Sequence, residues 1–103
     1  MMKVENMNGK TGKVANQFVI TDKTKKVFQS YSSMIVSIDY EAFSILIGRD
    51  WDYSVTTGKY RNQFFAENGF SGILDSKKLL LAALAEGVVK SGVYVFSIRE
   101  EVN

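Results

Sequence analysis

Apolar side chains recur at every second residue through the first half of the chain and at every third or fourth residue after Trp51. That change of period limits the fold more than any other feature. Val14, Asn16, Phe18 and Ile20 point one way along an extended backbone while Ala15, Gln17 and Val19 point the other, which predicts a strand. Thr21–Lys26 reads as a polar turn and Val27–Tyr31 as the returning partner, giving a hairpin with a basic tip. Ser32 and Ser33 interrupt the chain ahead of a β-branched run at Met34–Asp39. A turn near Tyr40–Glu41 leads into Phe43–Ile47, which Gly48 ends. Four short strands in about 35 residues predict an antiparallel meander.

Beyond Trp51, a hydroxyl at Thr56 or Thr57 can cap a helix by accepting from its unpaired first-turn amides. Tyr60 and Phe64 stack at i, i+4 on that helix, and Asn68-Gly69 is its stop signal. A second helix is expected from Asp75 or Ser76 to Glu86-Gly87. Leu79, Leu80, Leu81, Ala83 and Leu84 cover most of its circumference, which predicts that it is the central helix against the sheet. Val93–Ile98 alternates again as a last strand, followed by a charged tail. The expected fold is α+β: an antiparallel sheet of about five strands, order β-β-β-β-α-α-β, with two helices packed on one face. Met1–Gly12, polar and glycine-bearing, is expected to be a flexible start, with residues 13–103 forming a single domain.

The composition excludes several chemistries. The 103 residues include no cysteine and no histidine, so there are no disulfides or thiolate nucleophiles, and the commonest general base and metal ligand is missing. Met1–Lys13 lacks the apolar centre of a secretion signal, and Leu79–Ala85 is far too short to span a bilayer. Neither a cofactor nor a metal is expected, and no membrane partner. The net charge of +2 divides unevenly: residues 1–30 carry six lysines against two acids, a local net of +4.

Motifs that tempt a catalytic reading do not hold. Gly9-Lys10-Thr11 lacks the glycine five positions upstream, where Val4 stands, and is expected to lack the preceding strand and the following helix of a phosphate loop. The serines have no histidine to activate them. Asp39, Glu41, Asp50 and Asp52 could bring acids together, but without calcium-loop spacing. An echo, T-G-K-x-x-N-Q-F at Thr11–Phe18 and Thr57–Phe64, leads into a strand in one copy and a helix in the other, so it does not mark a structural repeat.

The richest segment is Trp51–Phe65. It holds the only tryptophan, Tyr53 and Tyr60, two adjacent phenylalanines, and the hydroxyl, cationic and amide groups of Thr56, Thr57, Lys59, Arg61 and Asn62. Aromatic and cationic residues so interleaved suit base stacking with phosphate contacts, and equally the anchors of a protein interface. Helical spacing places Tyr60 and Phe64 in the core and Lys59 and Asn62 on another face. Loss of both Lys59 and Arg61 is then expected to leave stability nearly unchanged. The expected partner-binding set is Lys59, Arg61, Asn62, Tyr53, Thr56 and Thr57, with Lys23, Lys25 and Lys26 at the hairpin tip and Tyr31 beside it.

Asn16-Gln17-Phe18, Phe28-Gln29-Ser30-Tyr31 and Trp51 through Phe64 together resemble a family of small uncharacterised proteins of phages and their bacterial hosts. Its pattern is N-Q-F, F-x-S-Y and W-D-Y-S-x-T-T-x-K-Y-x-x-x-F. The likeness spans roughly residues 11–67 and departs at the apolar Leu79–Ala85, where family members tend to carry a charged helix. It implies a phage or mobile-element setting in the cytoplasm of a bacterial host. Many small proteins in that setting, anti-CRISPR inhibitors among them, bind and block a host machine. The expected function is therefore a non-enzymatic binding protein that occludes a host protein or nucleoprotein complex. The alternative is a nucleic-acid-binding module using the basic hairpin and the aromatic segment. Monomer and homodimer stay equally open.

Overall fold

The computed structural model describes residues 2–89 and 92–97. Its elements run β1 (Met2–Gly9), β2 (Gly12–Asp22), β3 (Lys25–Ser30), β4 (Ser33–Asp39), β5 (Ser44–Ile47), α1 (Val55–Glu67), α2 (Lys77–Glu86) and β6 (Tyr94–Ser97). The fold is α+β, with one six-stranded sheet in sequence order. β1 to β5 form an antiparallel meander, and β6 returns through the two helices to lie parallel beside β5. A parallel neighbour needs such a crossover, because a short turn can only reverse the chain.

Two expectations change, and a third falls partly outside the described residues. Residues 2–9, expected within a flexible start, form β1, and Gly9-Lys10-Thr11 lies in its turn into β2. The alternation of β2 breaks at Asn16, whose φ of 66° is left-handed; Val14 and Val19 then both pack on the core, with Gln17 buried between them. Asparagine tolerates that conformation better than most residues. The last strand is described over Tyr94–Ser97, and the expected Ile98 end and charged tail lie outside the described residues.

The core sits between one sheet face and the helices. Cross-strand register aligns Val19, Phe28, Val36 and Ile47 in one row and Ile38, Ile45 and Val95 in the next. A bulge opposite Phe28/Gln29 leaves Ile35 unpaired and lets it join Val36 in the core, because two residues there face one. Gly48 has to be glycine: a Cβ would collide with the Met34 carbonyl oxygen, where the chain leaves β5.

The helices exchange their expected roles. α1 is the central one, burying Thr57, Tyr60, Arg61, Phe64 and Phe65, an i, i+3, i+4, i+7, i+8 stripe. Phe64 stacks on Phe28 with centroids 5.8 Å apart, and Phe65 meets Phe64 and Phe70 edge-on. Its cap is Ser54 rather than Thr56 or Thr57, with Ser54 Oγ accepting from Thr57 N at 3.1 Å. α2, capped by Ser76 and closed by Gly87 in the left-handed region, buries only Leu80 and Ala83, while Leu79 and Leu81 stay exposed.

Candidate functional site

The turn from β3 to β4 brings Tyr31 and Ser32 beside the loop that leads into α1. Between them lies a cleft of about 440 Å³, lined by Ser30–Ser33, Ile35, Asp50, Tyr53, Ser54, Thr56 and Thr57. Eight of these ten residues carry a hydroxyl, and Asp50 is the one charged side chain among them. The floor is fixed by hydrogen bonds. Ser30 Oγ and Thr57 Oγ1 lie 3.1 Å apart, Ser54 Oγ donates to Thr57 Oγ1 at 3.2 Å, and Ser33 Oγ donates to Asp50 Oδ2 at 2.9 Å. Thr57 is thus a buried scaffold group at the base of the cleft, while Thr56 is exposed at its edge.

The rim is aromatic. Tyr31 and Tyr53 are 58% and 75% exposed, and neighbouring Val55 is 91% exposed. Tyr31 sits at φ 56°, a conformation that a bulky side chain adopts only with strain. Its N–H donates to Asn16 O at 2.7 Å and its carbonyl accepts from Gln29 Nε2 at 2.6 Å, so the backbone around it holds the strained turn. Strain of this kind costs about 1–3 kcal/mol and gathers at functional sites.

Arg61 is not at this surface. It is 1% exposed, with Nη1 donating to Trp51 O at 2.9 Å and Nη2 to Asn62 Oδ1 at 2.9 Å; the guanidinium lies 5.2 Å from the Trp51 ring centroid. Asp52 lies 3.9 Å from Nη1 and also pairs with Lys77 at 2.8 Å. Desolvation pushes the Arg61 guanidinium below its ordinary range, and the Asp52 charge opposes that shift. Arg61 is therefore the pin that ties the 51–52 loop to α1, and the surface position behind the expectation of a harmless loss is not the one it occupies. The signal was in the sequence: residue 61 falls on the same stripe as Thr57 and Phe64.

The remaining expected residues lie away from the cleft, Lys59, Arg61 and Asn62 bordering one groove and the hairpin lysines standing apart. Lys59 is exposed, its ammonium 5.2 Å above the Tyr60 ring, and with Asn62 it lines a shallow groove on another side of α1. Asn62 is partly committed to Arg61. The hairpin lysines do not form one patch. Lys23 is in the turn at φ 52°, Lys25 lies between Asp22 and Asp39 in a cross-strand row, and Lys26 is in the adjacent row with Thr21 and Ile38. All three are at the far end of β3 from Tyr31, roughly 15–20 Å away at about 3.3 Å per residue. Tyr31, Tyr53, Thr56 and Thr57 come together; Lys23, Lys25, Lys26, Lys59, Arg61 and Asn62 do not join them.

The acids also separate. Asp39 Oδ1 accepts from the amides of Glu41 and Ala42 at 3.0 Å each, closing the β4–β5 turn. Among the described residues no group of three such ligands converges on a metal position. Asp50 is the acid with an open role, and its meeting with Ser33, 17 residues away, has no local signature in the sequence.

A model of a family of unknown function (DUF8033) matches residues 2–81. The chain belongs to that family. The match takes in β1 to β5, α1 and half of α2, and so every residue lining the Tyr31–Tyr53 cleft together with the Arg61 pin. β6 lies outside it. No curated protein and no solved structure matches the chain. No helix among the described residues is long and apolar enough to cross a membrane.

Proposed function

We propose that this DUF8033 member is a small non-enzymatic binding protein that occludes a host protein or nucleoprotein machine. In this reading it acts in the cytoplasm of a bacterial host, in a phage or mobile-element setting, as an anti-defence factor of the anti-CRISPR kind. The setting rests on the resemblance of residues 11–67 to phage proteins. The binding role rests on one observation: a strained, exposed Tyr31 facing Tyr53 across an acidic, hydroxyl-lined cleft. Tyrosine supplies a large contact area at low entropic cost and is enriched at interface hot spots.

The charge of the cleft favours a protein partner over nucleic acid. Asp50 repels phosphate and attracts the guanidinium or ammonium of a partner side chain, which the two rings can flank by cation–π contact. The cations that a nucleic acid would need are scattered over the hairpin end and over another side of α1.

The test is retention of a host partner by immobilised protein, comparing wild type with Tyr53→Ala and Asp50→Asn, each checked for an unchanged melting temperature. Loss of a retained band with either variant is expected. Equal retention by all three removes the cleft from the interface. Oligonucleotide binding that weakens with salt by about 0.7–0.9 log units per phosphate contact would replace this reading with the nucleic-acid one.

A further inference from the structure

We propose that β1 is a self-association edge, along which two copies of the chain pair antiparallel about a twofold axis through Val4. β1 is the outermost strand, next only to β2, so one side of its backbone has no strand partner among the described residues. Such an edge is a template for another strand unless proline, a bulge, shortness or unmatched charge blunts it, so Lys3 and Glu5 permit pairing only in a register that matches them. The chain has no proline, β1 is eight residues long, and its register break with β2 falls beyond Asn6, leaving Met2–Asn6 regular.

The side chains choose both the occupant and the register. Residues opposite one another in an antiparallel pair lie on the same sheet face, so a twofold pairing of β1 with itself can shift only in steps that keep odd residues against odd. Pairing about Lys3 sets lysine against lysine, and pairing about Glu5 sets glutamate against glutamate. Pairing about Val4 sets Lys3 against the partner's Glu5 twice over, with valine meeting valine between the two ion pairs. Both charged side chains are free to exchange, being 68% and 52% exposed and only 3.5 Å apart along their own strand. Opposite charges directly across a strand pair are stabilising, and like charges destabilising.

The sheet face away from the helices supports the same choice. Register aligns Val4, Ile20, Val27, Ser37, Leu46 and Phe96 in one row across the six strands, with Val4 56% and Phe96 50% exposed. Pairing about Val4 covers the exposed end of that row and joins two rows into one stripe. The contact is small beside a standard interface of about 800 Å² per partner, so the dimer is expected to be weak and to follow concentration. No cleft-lining residue lies on β1, so the dimer leaves two Tyr31–Tyr53 clefts free, an arrangement that raises avidity for a repeated target.

Sedimentation of the full chain from about 10 μM to about 1 mM tests this. Wild type should pass from monomer to dimer over that range. Glu5→Lys should weaken dimerisation by about tenfold or more, and Lys3→Glu combined with Glu5→Lys should restore it. In a chain without cysteine, Val4→Cys also places a single thiol on the axis, and oxidation should link two copies far faster than it links Lys23→Cys. A monomer throughout the range, a dimer indifferent to Glu5→Lys, no rescue by the charge exchange, or no preferential linkage at position 4 would each overturn the proposal.

Discussion

The two helices have opposite relations between composition and burial. α1 carries glycine, asparagine, glutamine, lysine and arginine, yet it buries five residues, two of them polar. α2 reads K-K-L-L-L-A-A-L-A-E and buries two. Position explains the difference. α1 lies over β2 and β3, with the sheet beneath its whole inner stripe, whereas α2 packs against β6 at the sheet margin. A helix over the middle of a sheet can bury polar groups that find partners, as Thr57 does in Ser30 and Arg61 in Trp51 O. A helix at the margin leaves leucines exposed because no element among the described residues covers them. Apolar count therefore ranks these helices in the wrong order, and the spacing of large side chains ranks them correctly.

Substitutions can break or sharpen this contrast. Phe64→Ala, at the centre of the aromatic stack under α1, should cost about 3–5 kcal/mol in urea unfolding. On α2 the cost should split between neighbours, with Leu80→Ala losing about 2–5 kcal/mol and exposed Leu81→Ala within about 0.5 kcal/mol. Comparable losses at both leucines would mean that a further surface covers α2. Arg61→Ala should lose about 1.5–3 kcal/mol, because the Trp51 carbonyl loses a charged donor in a buried setting. Little change there would mean that the Arg61–Trp51 contact does not hold the 51–52 loop to α1.

A smaller effect reports on the end of α1. Tyr40 Oη donates to Asn68 O at 2.8 Å, and burial raises the phenol above its ordinary range. A folded-state value above the unfolded one contributes stability that is complete below about pH 10 and is lost as pH rises through the folded value. Tyr40→Phe should cost about 0.5–1.5 kcal/mol at neutral pH and flatten the alkaline part of the stability profile. An unchanged alkaline slope would show that another group carries it.

Much of the meander was legible because β3 and β5 keep period two, β4 keeps it beyond its bulge, and all three end at turn residues; both helix stops stand where Asn68-Gly69 and Gly87 put them. β1 was not read as a strand although Met2-Lys3-Val4-Glu5 alternates apolar with polar, because the run is short and neither of its faces is buried. Four of the ten expected site residues, Tyr31, Tyr53, Thr56 and Thr57, meet at the cleft, although only folding sets Asp50 and Ser33 between them. The cationic residues do not join them, for a physical reason. Alternating strand faces send Lys25 and Lys26 apart, and the helical stripe draws Arg61 inward while leaving Lys59 outside.

Tyr31 tests the central claim, that the cleft rim is kept for recognition rather than for folding. The measurement is the unfolding free energy of Tyr31→Gly beside its retention of the host partner. Glycine removes the left-handed strain but loosens the unfolded chain, so stability should hold or rise by up to about 1 kcal/mol while retention is lost. A clear fall in stability, or full retention of the partner, would make Tyr31 part of the scaffold and contradict the assignment.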